Sequence, residues 1–284
     1  MTATSDQTAL GLESFDFRAV AETLGFAGLS ASGANIVMQL AMPGVGHGVA
    51  ASTVTSGQLF KHPIKRGRTT FTYLAVSLIG SEEEQRAYRS AVNESHRQVR
   101  SKPDDDVAYN AFDPDLQLWV AACLYRGLAD NMAWLAPARY ERDKEAMYRA
   151  SAVLGTSLQM RADQWPADTA AFEEYWDRTV RERLAIDDFV RGYLDEFLML
   201  RFLPRPLSAL LGPFHRWQSA GWLPPEFRAL MGLAWSDRDQ LRFDRLNRWV
   251  RRINAVTPKA LRRLVILSYL YDFRLRRRLG MRLV

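Results

Sequence analysis

Two groups of side chains in this 284-residue chain have the types and spacing to do chemistry. The first is His96, within "AVNESHRQVR" at 91–100. Around it Tyr88, Ala91, Val92, Ser95 and Val99 recur at the three- and four-residue intervals of one helix face. His96 stands four residues after Val92 and three before Val99, at the edge of that face. An imidazole there needs partners for both nitrogens: it is either bonded to a backbone carbonyl or carboxylate, or available as a ligand. On spacing alone the hydrogen-bonded histidine is the commoner case. The second group is Arg66, Thr70, Tyr73 and Ser77, at i, i+4, i+7 and i+11 of an earlier helical stretch. Ile64, Phe71, Leu74, Ala75 and Leu78 supply apolar surface on the same helix. If both sides are buried, the polar stripe must be satisfied internally or by a polar ligand; otherwise it is a solvated face. Lys65 and Arg68 flank the stripe and are expected to reach water.

Other chemistries lack their residues. One cysteine, Cys123, excludes an intramolecular disulfide, a CxxC zinc or redox site and a CxxCH covalent haem attachment. There is no GxxxxGK[ST], GxSxG, HExxH or helical ExxH, which argues against P-loop, serine hydrolase, zincin and di-iron carboxylate sites. The four histidines, His47, His62, His96 and His215, include no pair at ligand spacing. "GVGHG" (44–48) follows a helix rather than a strand and reads as a turn. A cofactor held by a single histidine remains open, and haem is the obvious one.

The elements that must position these residues are helical. No stretch alternates with period two, and no repeat or Gly/Ser linker divides the chain. The pattern predicts helices over 31–42, from Pro63 to Gly80, over 81–101 with Ser81 as cap, and from Pro114 with Asp113 as cap. Further helices are expected over 137–154, 168–202, 225–231, 237–253 and 258–278. Pro204, Pro206, Pro213, Pro224 and Pro225 predict an irregular section. The expected fold is all-α: an N-terminal segment, 1–28, then a single-domain bundle of crossing helices, 29–284, with a ligand pocket between helices.

Composition bounds the class. Hydrophobic residues are 48% and charged residues 25%, as in soluble globular proteins. "MTATSDQTALGLESFDF" lacks the basic start and apolar block of a signal peptide, and "LVILSYLY" (264–271) is too short to span a bilayer. The expectation is a soluble, cytoplasmic protein. Its charge is uneven: 237–284 holds 14 Lys/Arg and 4 Asp/Glu, a local +10, against 6 − 10 = −4 elsewhere. Such a tail attracts nucleic acid, an anionic membrane or cofactor carboxylates, or is simply a solvated helix face.

Taken together, the segments resemble the MpaB/rubber-oxygenase family, the haem-containing group that includes the latex-clearing proteins. The likeness starts at "NIVMQLAMPGVGHGVA" and continues through "HPIKRGRTTFTYLAVSLIG". There Pro63, Arg66 and Thr70 match a family pattern of Pro, Arg three residues on and Thr four further, closed by Gly80. His96 and Val99 match the family's H-x-x-V, and Asp113, Pro114 and Trp119 the signature after it. "FEEYW" (172–176) and "LPPEFRALMGLAWSDRDQ" (223–240) are weaker echoes. The resemblance implies that His96 is the proximal iron ligand of a non-covalent haem b. It also implies that Arg66 and Thr70 line the haem site, and Tyr73 joins them by sharing their face.

Departures limit what carries over. Latex-clearing enzymes have a lysine one residue before the Thr, where this chain has Thr69. Many relatives have His where Met42 and Ala121 stand, and the acidic residue proposed as base in rubber cleavage has no secure counterpart. Polyisoprene cleavage is therefore not implied. The resemblance points to a haem b-dependent oxidoreductase or oxygenase acting on a hydrophobic small molecule or lipid, with dioxygen or peroxide as co-substrate. Arg66 and Thr70 would act at the reacting centre, and tail arginines could pair with the haem propionates. The alternatives are a non-catalytic haem carrier or sensor, and a basic helical module on membrane or nucleic acid. Peripheral membrane contact through the basic C-terminal region is compatible with the first reading; nucleic acid is not its expected partner.

Overall fold

The computed structural model describes residues 15–52 and 58–284. The first fourteen residues, where a signal peptide would lie, fall outside them. Every regular element among the described residues is a helix, and no helix is long and apolar enough to cross a membrane. In order these are α1 (Arg18–Thr23), α2 (Phe26–Leu29), α3 (Ser32–Leu40), α4 (Pro43–Ala50), α5 (Pro63–Ile79), α6 (Glu82–His96), α7 (Pro114–Leu135) and α8 (Pro137–Ala150). There follow α9 (Val153–Thr156), α10 (Thr169–Glu182), α11 (Asp188–Leu198), α12 (Arg205–Trp222), α13 (Pro225–Met231), α14 (Asp237–Val256) and α15 (Lys259–Arg278).

Helix α7 is the axis of the bundle, packing against α1, α3, α8, α9 and α14. It is apolar nearly all round, the mark of a helix surrounded by others, and Trp119, Ala121, Ala122 and Cys123 are fully buried. Trp119 donates its indole N–H to the carbonyls of Met38 (3.1 Å) and Gln39 (3.2 Å), fixing α3 against α7. Its ring stacks on Trp176 with centroids 5.0 Å apart, and an aromatic layer of Tyr125, Tyr148, Trp165 and Phe172 continues from there. Residues 18–28, which belong to the expected N-terminal segment, pack on this body, and Val20 and Leu24 belong to the core.

Cap chemistry places several helix starts where the sequence predicts them. Ser81 and Glu84 form a reciprocal capping box on α6, and the Asp113 carboxylate accepts from the N–H groups of Asp115 and Leu116. Four stretches differ from expectation. "GVGHG" is helical, within α4, because Pro43 suits a first-turn position and glycine permits close contact. A Cβ on Gly46 would lie 2.5 Å from the Leu40 carbonyl oxygen. The predicted 168–202 helix is broken at 183–187, where the Ala185 N–H donates to the Ala41 carbonyl and Asp187 caps α11. The proline-rich section is largely the helix α12: Pro206 sits in its first turn and Pro213 is exposed inside it. Finally, α6 ends at His96, and Val99 lies in the turn beyond, its N–H bonded to the His96 carbonyl.

Candidate functional site

A cavity of about 580 Å³ opens between α3, α4, α5, the end of α6, α7, α11 and α12. Its walls are mostly apolar, and its size falls within the roughly 300–1,000 Å³ of small-molecule and cofactor sites. Arg66, Thr70, Tyr73 and His96 all line it. The two faces read from spacing therefore meet on one wall, where α5 packs against α6.

His96 is the last residue of α6, and the loop behind it is folded back by the Arg100–Asn110 bridge. That loop brings Val99 and Tyr109 to the cavity and sets the Phe112 ring edge-on to the imidazole, 6.3 Å away. The Nδ1 atom is closed off from solvent without a hydrogen-bond partner, and Nε2 has none among the described residues either. No backbone carbonyl or carboxylate among the described residues claims the ring, although that is the commoner fate of a buried histidine. Burial, with the positive charge of Arg66 adding to it, lowers the His96 pKa to about 4. The imidazole is therefore neutral at physiological pH, the form that binds a metal.

Arg66 lies on the same wall, partly buried, and forms no ion pair among the described residues. A guanidinium in such a place needs an anion or water to offset its lost hydration. The Thr70 hydroxyl makes a long 3.3 Å bond to the Arg66 carbonyl. Tyr73 differs: its hydroxyl donates to the Leu154 carbonyl and meets Ser157 Oγ at 2.9 Å, so its polar end is engaged in tying α5 to α9. What it offers the cavity is its ring. Ser77 is buried beyond it, so this face is not solvated. Lys65, expected in water, also lines the cavity, while Arg68 reaches Asp272 at 3.9 Å.

Some lining residues escaped the sequence reading. His215, on α12, donates from Nδ1 to the Leu198 carbonyl at 2.8 Å, which fixes its tautomer and leaves Nε2 as the lone-pair side. A Cβ on Gly33 would lie 3.1 Å from that Nε2 and 2.2 Å from Ser219 Oγ, so glycine lets α3 approach α12 here. Asn35 and Gln39 form a second polar patch, with Asn35 donating to the Cys123 carbonyl and Gln39 to Asn35. Their i, i+4 spacing was a readable signal; His215 was hidden by the prolines around it. His47 is held by Asp187 at 2.6 Å and takes no part in the cavity. The tail arginines do not face it as a group: Arg263 pairs with Glu22, Arg274 with Glu84, and Arg277 with Glu83.

No three His, Cys, Asp or Glu side chains among the described residues come together as a metal-binding group. A single free imidazole suits a metal that brings its other ligands with it, as a porphyrin does. The apolar walls suit a large planar ring, and the unpaired Arg66 suits a carboxylate on it. The residues present thus fit a haem.

Comparison with known proteins agrees with the sequence signatures. The family described as ER-bound oxygenase mpaB/B'/Rubber oxygenase, catalytic domain, matches residues 19–252. Uncharacterized protein Rv2237 of Mycobacterium tuberculosis and Uncharacterized protein Mb2261 of Mycobacterium bovis are each 47% identical to the chain over 251 residues. The matched stretch covers 88% of this chain and 98% of each relative. No solved structure matches it significantly. The chain belongs to the mpaB/B'/rubber-oxygenase catalytic-domain family.

Proposed function

We propose that the protein is a haem b-dependent oxygenase acting on a hydrophobic small molecule or lipid, with His96 as the proximal iron ligand. The observation that carries this reading is the His96 ring, neutral and without a partner at either nitrogen among the described residues, on the wall of a large apolar cavity. When bound, haem would supply the activation of dioxygen or peroxide that no side chain here can provide. The protein's part is positional and electrostatic. Arg66, on the wall beside His96, would hold a positive charge there to pair with a propionate carboxylate or to offset negative charge that develops on the reacting co-substrate. The Thr70 hydroxyl, only loosely engaged, can turn to donate a hydrogen bond into the cavity. Leu74, Val92, Leu116 and Phe197 help line the chamber and keep water from the reacting centre.

The test separating enzyme from carrier is oxygen uptake by the haem-loaded protein. Candidate hydrophobic substrates should stimulate uptake, and Arg66→Ala should reduce the rate per bound haem about a hundredfold or more, the range for losing one transition-state contact. Uptake that no substrate stimulates and Arg66→Ala leaves unchanged would favour a non-catalytic haem protein.

A further inference from the structure

Helix α14 turns an unusual face to solvent. At about 100° per residue, an arc of about 140° on its outer side holds only two kinds of side chain. One kind is arginine: Arg238, Arg242, Arg245, Arg248 and Arg252 are all exposed and none forms a salt bridge among the described residues. The other is large and apolar: Leu241 (66% exposed), Trp249 (58%), Ile253 (61%) and Val256 (82%). Arg252 lies over the Trp249 ring, 5.6 Å from its centroid. The acidic residues are elsewhere, with Asp239 used in the N-terminal capping box and Asp244 accepting from Gln240. The opposite side of the helix, through Phe243, Asn247 and Asn254, is buried, and α14 packs on α2, α7 and α12. Phe26 on α2 adds another exposed ring (80%) beside it.

Isolated exposed leucines are ordinary, but four large apolar groups interleaved with five arginines outside any salt bridge among the described residues are not. Three occupants are conceivable, and the chemistry separates them. Nucleic acid phosphates would take the arginines yet offer nothing to Leu241, Ile253 and Val256. A second copy in a two-fold dimer would bring the same arginines against themselves. An anionic lipid surface satisfies both kinds of group at once. Headgroup phosphates bind the guanidiniums, the acyl boundary takes the aliphatic side chains, and tryptophan favours the interface between them. We propose that α14 lies in the plane of an anionic phospholipid bilayer and docks the protein on it as a peripheral membrane protein. This proposal is independent of whether the cavity holds haem.

The test is co-sedimentation of the full chain with phosphatidylcholine vesicles, with and without phosphatidylglycerol. Binding should require phosphatidylglycerol and weaken as salt is raised. Reversing Arg245, Arg248 and Arg252 to Glu should weaken it tenfold or more, since each basic residue near such a surface contributes about fivefold. Trp249→Ser with Ile253→Ser should weaken it as well, most visibly at high salt, where the unscreened apolar contribution dominates. All these side chains are exposed, so far-ultraviolet circular dichroism and haem content should be unchanged. The proposal is overturned by binding indifferent to phosphatidylglycerol or by vesicle binding that survives both sets of substitutions. It is equally overturned by duplex DNA binding that needs the arginines alone, or by a concentration-dependent dimer that Ile253→Ser abolishes.

Discussion

Polar side chains on the cavity wall divide into those whose hydrogen bonds the protein satisfies and those it leaves open. Tyr73 and His96 stand on the same cavity wall, yet the Tyr73 hydroxyl is engaged by Leu154 and Ser157, while neither nitrogen of His96 has a partner among the described residues. The two should therefore respond differently to substitution. Tyr73→Phe should cost about 1–2 kcal/mol, the toll of a lost buried hydrogen bond, and leave haem affinity nearly unchanged; thermal denaturation and haem titration would check it. Both side chains were visible in the sequence because 3–4 spacing places residues on a face. Which of their polar atoms is already spent depends on Leu154 and Ser157, some eighty residues away, and no local pattern reports that. His215 was harder still: its cavity position follows from Gly33, which lets α3 and α12 approach.

At the scale of elements, helix starts were legible and helix ends less so. Ser81 and Asp113 cap α6 and α7, and Pro63 suits the first position of α5, so all three begin where the sequence predicts. The break at 183–187 depends on a bond from Ala185 to Ala41, and α12 runs through a proline on its exposed side; both are outcomes of packing. A second element-level device sets where His96 stands. Glu84, in the capping box of α6, also accepts from Arg274 of α15 (2.6 and 3.1 Å), so the C-terminal helix is joined to the start of the helix whose end carries the imidazole. Chiefly through Arg274, the Glu84 carboxyl is held below its ordinary range. A depressed folded-state value means that its contribution is present above the unfolded carboxyl pKa and lost as pH falls through the folded one. Arg274→Ala should therefore lower the thermal midpoint at neutral pH and flatten its acid-side dependence. A pH series of denaturation curves for both proteins would show this. Trp119→Ala, at the α3–α7 contact, should cost far more, about 3–5 kcal/mol by denaturant unfolding.

As a molecule, the described residues form a helical bundle that surrounds a large apolar chamber and turns an Arg-rich, apolar-studded helix outward. The uneven charge already set the C-terminal region apart, but its distribution did not follow from composition. Arg263, Arg274 and Arg277 are consumed by internal ion pairs, whereas the α14 arginines form none among the described residues. A ligand that binds only the folded state also stabilises it by mass action. Haem at a hundredfold excess over its Kd should add about 2.7 kcal/mol, seen as a raised thermal midpoint. His96→Ala should keep the stability of the haem-free protein and lose most of that gain.

The most direct measurement is an absorption titration of the purified protein with haem b, beside His96→Ala and His96→Ala with free imidazole added. The account predicts a saturable one-to-one Soret band for the unaltered chain, its loss or marked weakening in His96→Ala, and partial recovery when imidazole fills the vacated ligand position. An identical Soret band and affinity in His96→Ala would contradict it.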